Sequence, residues 1–185
     1  MRMSVAEAAY PINQHKKYDA LIALAAAAPS ARTVVVHPCD ETSLRGAAEA
    51  AEANLIVPVL VGPLQKIRSV AEAHGIDISP FECIDTPHSD AAAAKAVELI
   101  REAHGELLMK GSLHTDELMR AVTSSTSGLR TERRISHVFV MNDDNYHKPF
   151  LITDAAINIA PDLLTKRDIV QNAVDFLIGI SATEI

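Results

Sequence analysis

Tryptophan is absent and aromatic residues make up only 4% of the 185-residue chain, so the large ring clusters that stack on nucleobases have little to draw on. Basic residues are outnumbered, 17 Lys and Arg against 24 Asp and Glu, and the resulting net charge of −7 argues against nucleic acid as a partner. Only two cysteines occur, Cys39 and Cys83, in unrelated contexts; this excludes a disulfide framework and a cysteine-based metal site. Long apolar runs are missing too. The longest, Ala20 to Ala28, is too short and too alanine-rich to span a bilayer. Glu7, His15, Lys16 and Lys17 interrupt any apolar core a signal peptide would need, so the reading is a protein of the cytoplasm with no membrane partner. Seven glycines are spread along the chain, and neither a Walker-type loop nor a dinucleotide fingerprint can be assembled from them.

What is present is alternation. Thr33-Val34-Val35-Val36, Ile56 to Val61, Phe81 to Ile84 and Leu107-Leu108-Met109 are short apolar runs of strand length. Between them lie segments rich in helix formers: Tyr18 to Ala28, Ser43 to Ala53 with Asp40 as its cap, Leu64 to His74 stopped by Gly75, and Ser89 to His104. Asp116 to Val122 follows the last strand as a further helix, with Thr115 as its N-cap. Repetition of this kind predicts an α/β fold, a doubly wound and mostly parallel sheet with helices on both faces, its strands near Val34, Val57, Phe81, Leu107 and Val138.

The pattern changes after Ser124. A polar loop leads into Gly128 to Arg134, which carries three arginines. His137 to Met141 and Pro149 to Thr153 then read as two strands across the polar turn Asn142 to Asn145, a separation that favours an antiparallel hairpin. Thr165 to Ile178 is a last helix whose Ile169, Val170, Ala173, Val174 and Leu177 mark one apolar face.

Two places can hold an anion. Lys110-Gly111-Ser112-Leu113-His114-Thr115 lies between a strand end and a helix start, where open α/β sheets bind ligands and free N–H groups suit phosphate; Arg120 lies a little over one turn further on. An ordinary capped helix with a solvated Lys and Arg is the alternative, and these residues alone do not choose between them. The Arg130 to Arg134 run offers bidentate contacts to an anion or is simply a solvated charged face. Asp154, Asn158 and Asp162 match no strong metal spacing and read as turn and cap residues.

Leu108-Met109-Lys110-Gly111, Thr115 with Arg120, Gly128-Leu129-Arg130-Thr131, Arg133 to Phe139, and Ile152-Thr153-Asp154-Ala155-Ala156 through Asn158 to Asp162 together resemble the phosphate acetyltransferase/phosphate butyryltransferase family. His37-Pro38 and Pro58 to Gly62 fit as well, so the likeness runs from about Lys17 to Phe176. It implies exchange of an acyl group between coenzyme A and inorganic phosphate, with acyl-coenzyme A, acyl phosphate and phosphate as substrates and no permanently bound cofactor or metal. It further implies Thr115 and Arg120 as residues lining the phosphate and acyl-phosphate pocket, which join Lys110, Gly111 and Arg130 of the two anion-binding places as the expected substrate-binding residues. A cleft between two α/β domains and a homodimer or self-associating chain are implied as well. Where the family often has serine, this chain has His114. By the same likeness, residues 1–148 form most of a first domain and 149–185 open a second. Family enzymes are longer, which implies a fragment or a shortened form lacking the Ser-Arg and Asp residues of the thiol end. The alternatives are a non-catalytic module that binds an anion or acyl phosphate, and a metal-dependent dehydrogenase related by fold.

Overall fold

Three consecutive β-branched residues, Val34, Val35 and Val36, have no accessible surface at all. A strand buried on both faces has to lie inside a sheet covered by helices on each side. A computed structural model of the chain describes residues 16–143, 146 and 148–181 and shows this arrangement. The chain divides into two compact units, Ala25–Glu132 and the described residues up to Leu24 together with those from Arg133 onward. The division expected at residue 148 falls between two strands of the second of these units.

The first unit is a four-stranded parallel sheet. Its strands are β1 (Ala31–Val36), β2 (Ile56–Gly62), β3 (Glu82–Asp85) and β4 (Leu107–Lys110), in the order β3-β2-β1-β4. Helices α2 (Glu41–Glu52), α3 (Leu64–His74), α4 (Ser89–Arg101) and α5 (Thr115–Val122) fill the connections, and α1 (Lys16–Ala27) precedes β1. Alternate residues of β1 and β2 face opposite layers. Val34, Val36, Val59 and Val61 pack with Ala92, Ala96 and Leu99 of α4 and Leu118 of α5. Val35 and Leu60 pack with Leu44 and Ala47 of α2 and Ile67 and Ala71 of α3. The doubly wound expectation is therefore met by two separate apolar layers, each worth roughly 1.5–3 kcal/mol per large side chain buried.

Local signals set the helix ends. Asp40 accepts the Ser43 N–H at 2.8 Å as the N-cap of α2. Gly75 closes α3 in the left-handed region at φ 64°, where a Cβ would be strained. The helix expected to reach His104 ends at Arg101, because Ala103 turns left-handed (φ 57°) and the His104 N–H returns to the Leu99 carbonyl at 2.8 Å.

In the second unit β5 (Val138–Met141) pairs antiparallel with β6 (Phe150–Thr153), and α6 (Leu163–Ser181) follows. The hairpin is as expected, but Val138 is not a strand of the parallel sheet. The connection to β6 is too short for a crossover, and its backbone bonds go to β6 instead. Asp144 and Asn145 of the expected turn lie outside the described residues. Asp162 caps α6 through the Thr165 N–H at 2.8 Å, and the helix starts at Leu163, two residues before the expected Thr165. Of its apolar face, Ile169 and Ala173 are buried, whereas Val170, Val174 and Leu177 are exposed.

Candidate functional site

In the order β3-β2-β1-β4 the chain moves outward from β1 to β3 and then crosses to the other side of β1 to form β4. The crevice between the carboxyl ends of β1 and β4 is thus the switch point at which open α/β sheets take their ligands. Two loops meet there. One runs from His37 to Asp40 after β1, the other from Gly111 to His114 after β4. They are joined by backbone bonds: Gly111 N–H donates to the Val36 carbonyl and Ser112 N–H to the His37 carbonyl, both at 2.9 Å. A Cβ on Gly111 would lie 2.5 Å from the Val36 oxygen and 2.8 Å from that of His37, so only glycine allows the loops this close.

The open, shallow pocket they form has a volume of about 470 Å³ and is lined by Asp40, Ser89, Lys110, Gly111, Ser112, Leu113, His114 and Glu117. Ser89 comes from the first turn of α4, and its hydroxyl donates to Glu117 at 2.8 Å. The other Glu117 oxygen accepts the His114 N–H at 2.8 Å, which caps α5. These bonds, from Ser89 first and His114 second, hold the Glu117 carboxyl below its ordinary range. Asp40 is lowered likewise, by Ser43 foremost and also by Ser112 and the nearby Lys110 ammonium. Both carboxylates already spend lone pairs on protein donors, so they act as braces for the loops, and Lys110 is the pocket's cation. Cys39, in the loop after β1, is buried and its thiol is pushed up by that burial, which leaves it a poor nucleophile. Among the described residues no three His, Cys, Asp or Glu side chains are grouped to hold a metal ion.

Of the residues expected from the sequence, Lys110 and Gly111 line the pocket. Thr115 does not, and it is not the cap: His114 is, with Thr115 the first helical residue and exposed. Arg120 also lies off the pocket wall. Its side chain is 70% exposed, with the guanidinium 3.7 Å from Asp90 and 3.6 Å from Asp116. Arg130 is exposed and is not one of the lining residues. In the second unit Arg133 bonds Asp175 and Asn172 of α6, while the Arg134 N–H donates to Asp168 at 3.1 Å, so this part of the arginine run is anchored structurally. Ser89 and Glu117 are not among the site residues the sequence suggests; Ser112 lies within the expected Lys110–Thr115 loop, and His37 is marked only within His37-Pro38. Glu117 carried a signal, standing three residues after a cap, but the cap was assigned one position late.

The parallel sheet with helices on both faces defines an open, doubly wound α/β chain, a fold whose ligands are taken in the crevice at the carboxyl ends of the strands. More narrowly, the chain belongs to the family described as phosphate acetyl/butaryl transferase, whose model matches residues 88–185. It is 63% identical over 171 residues to a phosphate acetyltransferase of Rhizobium meliloti, covering 92% of this chain and 54% of that protein. To a phosphate butyryltransferase of Clostridium beijerinckii it is 33% identical over 159 residues, covering 86% and 53%. The chain spans about half the length of the curated relatives it matches. A phosphotransacetylase of Streptococcus pyogenes superposes with a TM-score of 0.69 at 19% identity, over 82% of this chain and 56% of that one, which shows the common fold.

Proposed function

We propose that the chain takes part in exchanging an acyl group between coenzyme A and inorganic phosphate, and that the Lys110–Gly111 loop receives the phosphate end of the acyl phosphate. The observation that carries this is the placement of Lys110 and the Ser112 hydroxyl in a pocket at the β1/β4 switch point of a chain belonging to this family. An ammonium there neutralises the phosphate charge as a point cation, and the braced carboxylates fix the loop geometry. Thr115, Arg120 and Arg130 contribute to the same substrate when it is bound. In this reading residues 1–148 belong to a first domain and 149–185 to the opening of a second. Coenzyme A and phosphate are substrates and no cofactor stays bound. The acidic composition suits a cytoplasmic enzyme, and the exposed apolar residues of α6 suit self-association into a dimer. Among the described residues no helix is long and apolar enough to cross a membrane.

The test is a chimera in which this chain replaces the matching part of the Rhizobium meliloti relative, with the rest of that protein retained. The 171 residues aligned at 63% identity set where the junctions fall. The chimera is expected to form acetyl-coenzyme A from acetyl phosphate, and Lys110→Ala in it to lower that rate at least tenfold. A folded chimera without activity, beside an active parent, contradicts the proposal.

A further inference from the structure

We infer that His37 is the positioning residue of the pocket, holding the Lys110–His114 loop in its ligand-binding shape; this rests on the proposed reading of that pocket as a phosphate site. His37 is 8% exposed and adopts φ 55°, a left-handed conformation uncommon for a residue with a side chain. Glycine or asparagine would occupy it with less strain. The imidazole supplies what glycine cannot: its Nδ1 lies 2.7 Å from the Ser112 carbonyl oxygen. A carbonyl only accepts, so Nδ1 carries the proton and the tautomer is fixed. The Ser112 N–H in turn donates to the His37 carbonyl at 2.9 Å, and the His37 N–H donates to Val61 at 2.7 Å. Residues 37 and 112, which are 75 positions apart, are therefore tied by a reciprocal pair of bonds. His37 does not line the pocket, whereas the Lys110, Gly111 and Ser112 that it holds in place do. Its action on a ligand is therefore indirect.

Three variants of the 185-residue chain separate strain from the hydrogen bond. His37→Asn tolerates the backbone and carries an N–H donor at the position of Nδ1. His37→Gly relieves the backbone and has no donor. His37→Gln keeps the bulk but places its donor one bond too far out. The probe is inorganic phosphate, titrated by calorimetry, with hydrogen exchange of the Ser112 amide measured alongside. The wild-type chain and His37→Asn are expected to bind within about twofold of each other and to protect the Ser112 amide equally. His37→Gly and His37→Gln should bind about tenfold more weakly and exchange faster, with little change in melting temperature for His37→Gly. Wild-type binding by His37→Gly, or binding by a folded His37→Asn as weak as that of His37→Gln, overturns the assignment. A wild-type chain that binds no phosphate overturns the phosphate reading alone. Ser112 exchange then decides the clamp: slow in wild type and His37→Asn but fast in the other two supports it, and equal rates in all refute it.

Discussion

Replacing Gly111 by alanine should cost far more than the same change at Gly75 or Gly46, and these three glycines give the comparison its scale. At Gly111 the added Cβ would stand 2.5 Å from the Val36 carbonyl oxygen and 2.8 Å from that of His37. Carbon and oxygen ordinarily approach to about 3.3 Å, so β1 and β4 must separate by roughly 0.5–0.8 Å where their ends meet. That movement weakens the bonds from Gly111 to Val36 and from Ser112 to His37, both 2.9 Å, each worth about 0.5–1.5 kcal/mol net. Overpacking against backbone adds about 1–3 kcal/mol, and an overall loss of about 2–4 kcal/mol follows. Gly75 has open space around its Cβ position but φ 64°, so alanine there should cost only about 1–2 kcal/mol. Gly46, inside α2, would meet only Met109 Cε at an ordinary 3.7 Å, and Gly46→Ala should stabilise by about 0.5–1 kcal/mol. Urea unfolding followed by far-UV circular dichroism, since the chain has no tryptophan, reads all three. Midpoints should fall in the order Gly46→Ala, wild type, Gly75→Ala, Gly111→Ala. A Gly111→Ala chain as stable as Gly75→Ala would refute the close approach of the two loops.

Asp154 accepts the N–H groups of His137, Ile157 and Asn158 at 3.0, 3.2 and 2.9 Å; burial pushes its carboxyl up, but these bonds and the Asn158 side chain hold it at about 2. Being depressed in the folded state, it contributes stability that is present above the ordinary value of 3.8 and is lost as pH falls toward 2, so Asp154→Ala should cost about 1–3 kcal/mol at pH 7 and the gap should close below pH 3. A melting difference that stays constant from pH 7 to about 2 contradicts this. The 185-residue polypeptide by itself should associate through α6, where Val170 and Ile178 are more than half exposed, and Val170→Asp with Val174→Asp should shift its light-scattering mass to monomer. On the proposed function, the same polypeptide, which spans about half the length of its matched relatives, should exchange acyl groups well below about one turnover per second; turnover at the usual enzyme rate speaks against this.

The sheet was legible because its strands are continuous β-branched runs, which only a two-sided core explains, and because Asp40 and Gly75 punctuate helices by strictly local chemistry. Val138 misled for the opposite reason: its run looks like the others, and only the bonds it makes with Thr153 decide which sheet it joins. The α5 start was read one residue late, since histidine is an unusual cap and its competence comes from Glu117 three residues on. Arg120 and Arg130 illustrate a limit of composition. Cations near a loop in sequence need not line it, and Arg120 faces Asp90 and Asp116 on the helix surface. His37 was visible only as part of the His37-Pro38 pair, and its role was not, because its meaning lies in a bond to a residue 75 positions away.

Titration of the chain with inorganic phosphate and acetyl phosphate, followed by amide chemical shifts, tests most directly whether the β1/β4 pocket is the phosphate end of the site. The largest shifts should fall on Gly111, Ser112 and Leu113. Lys110→Ala should weaken binding about tenfold or more, the scale of a charge-assisted hydrogen bond, and Arg120→Ala should weaken it by a smaller factor. Shifts confined to other parts of the chain, or undiminished binding by Lys110→Ala, would contradict the assignment.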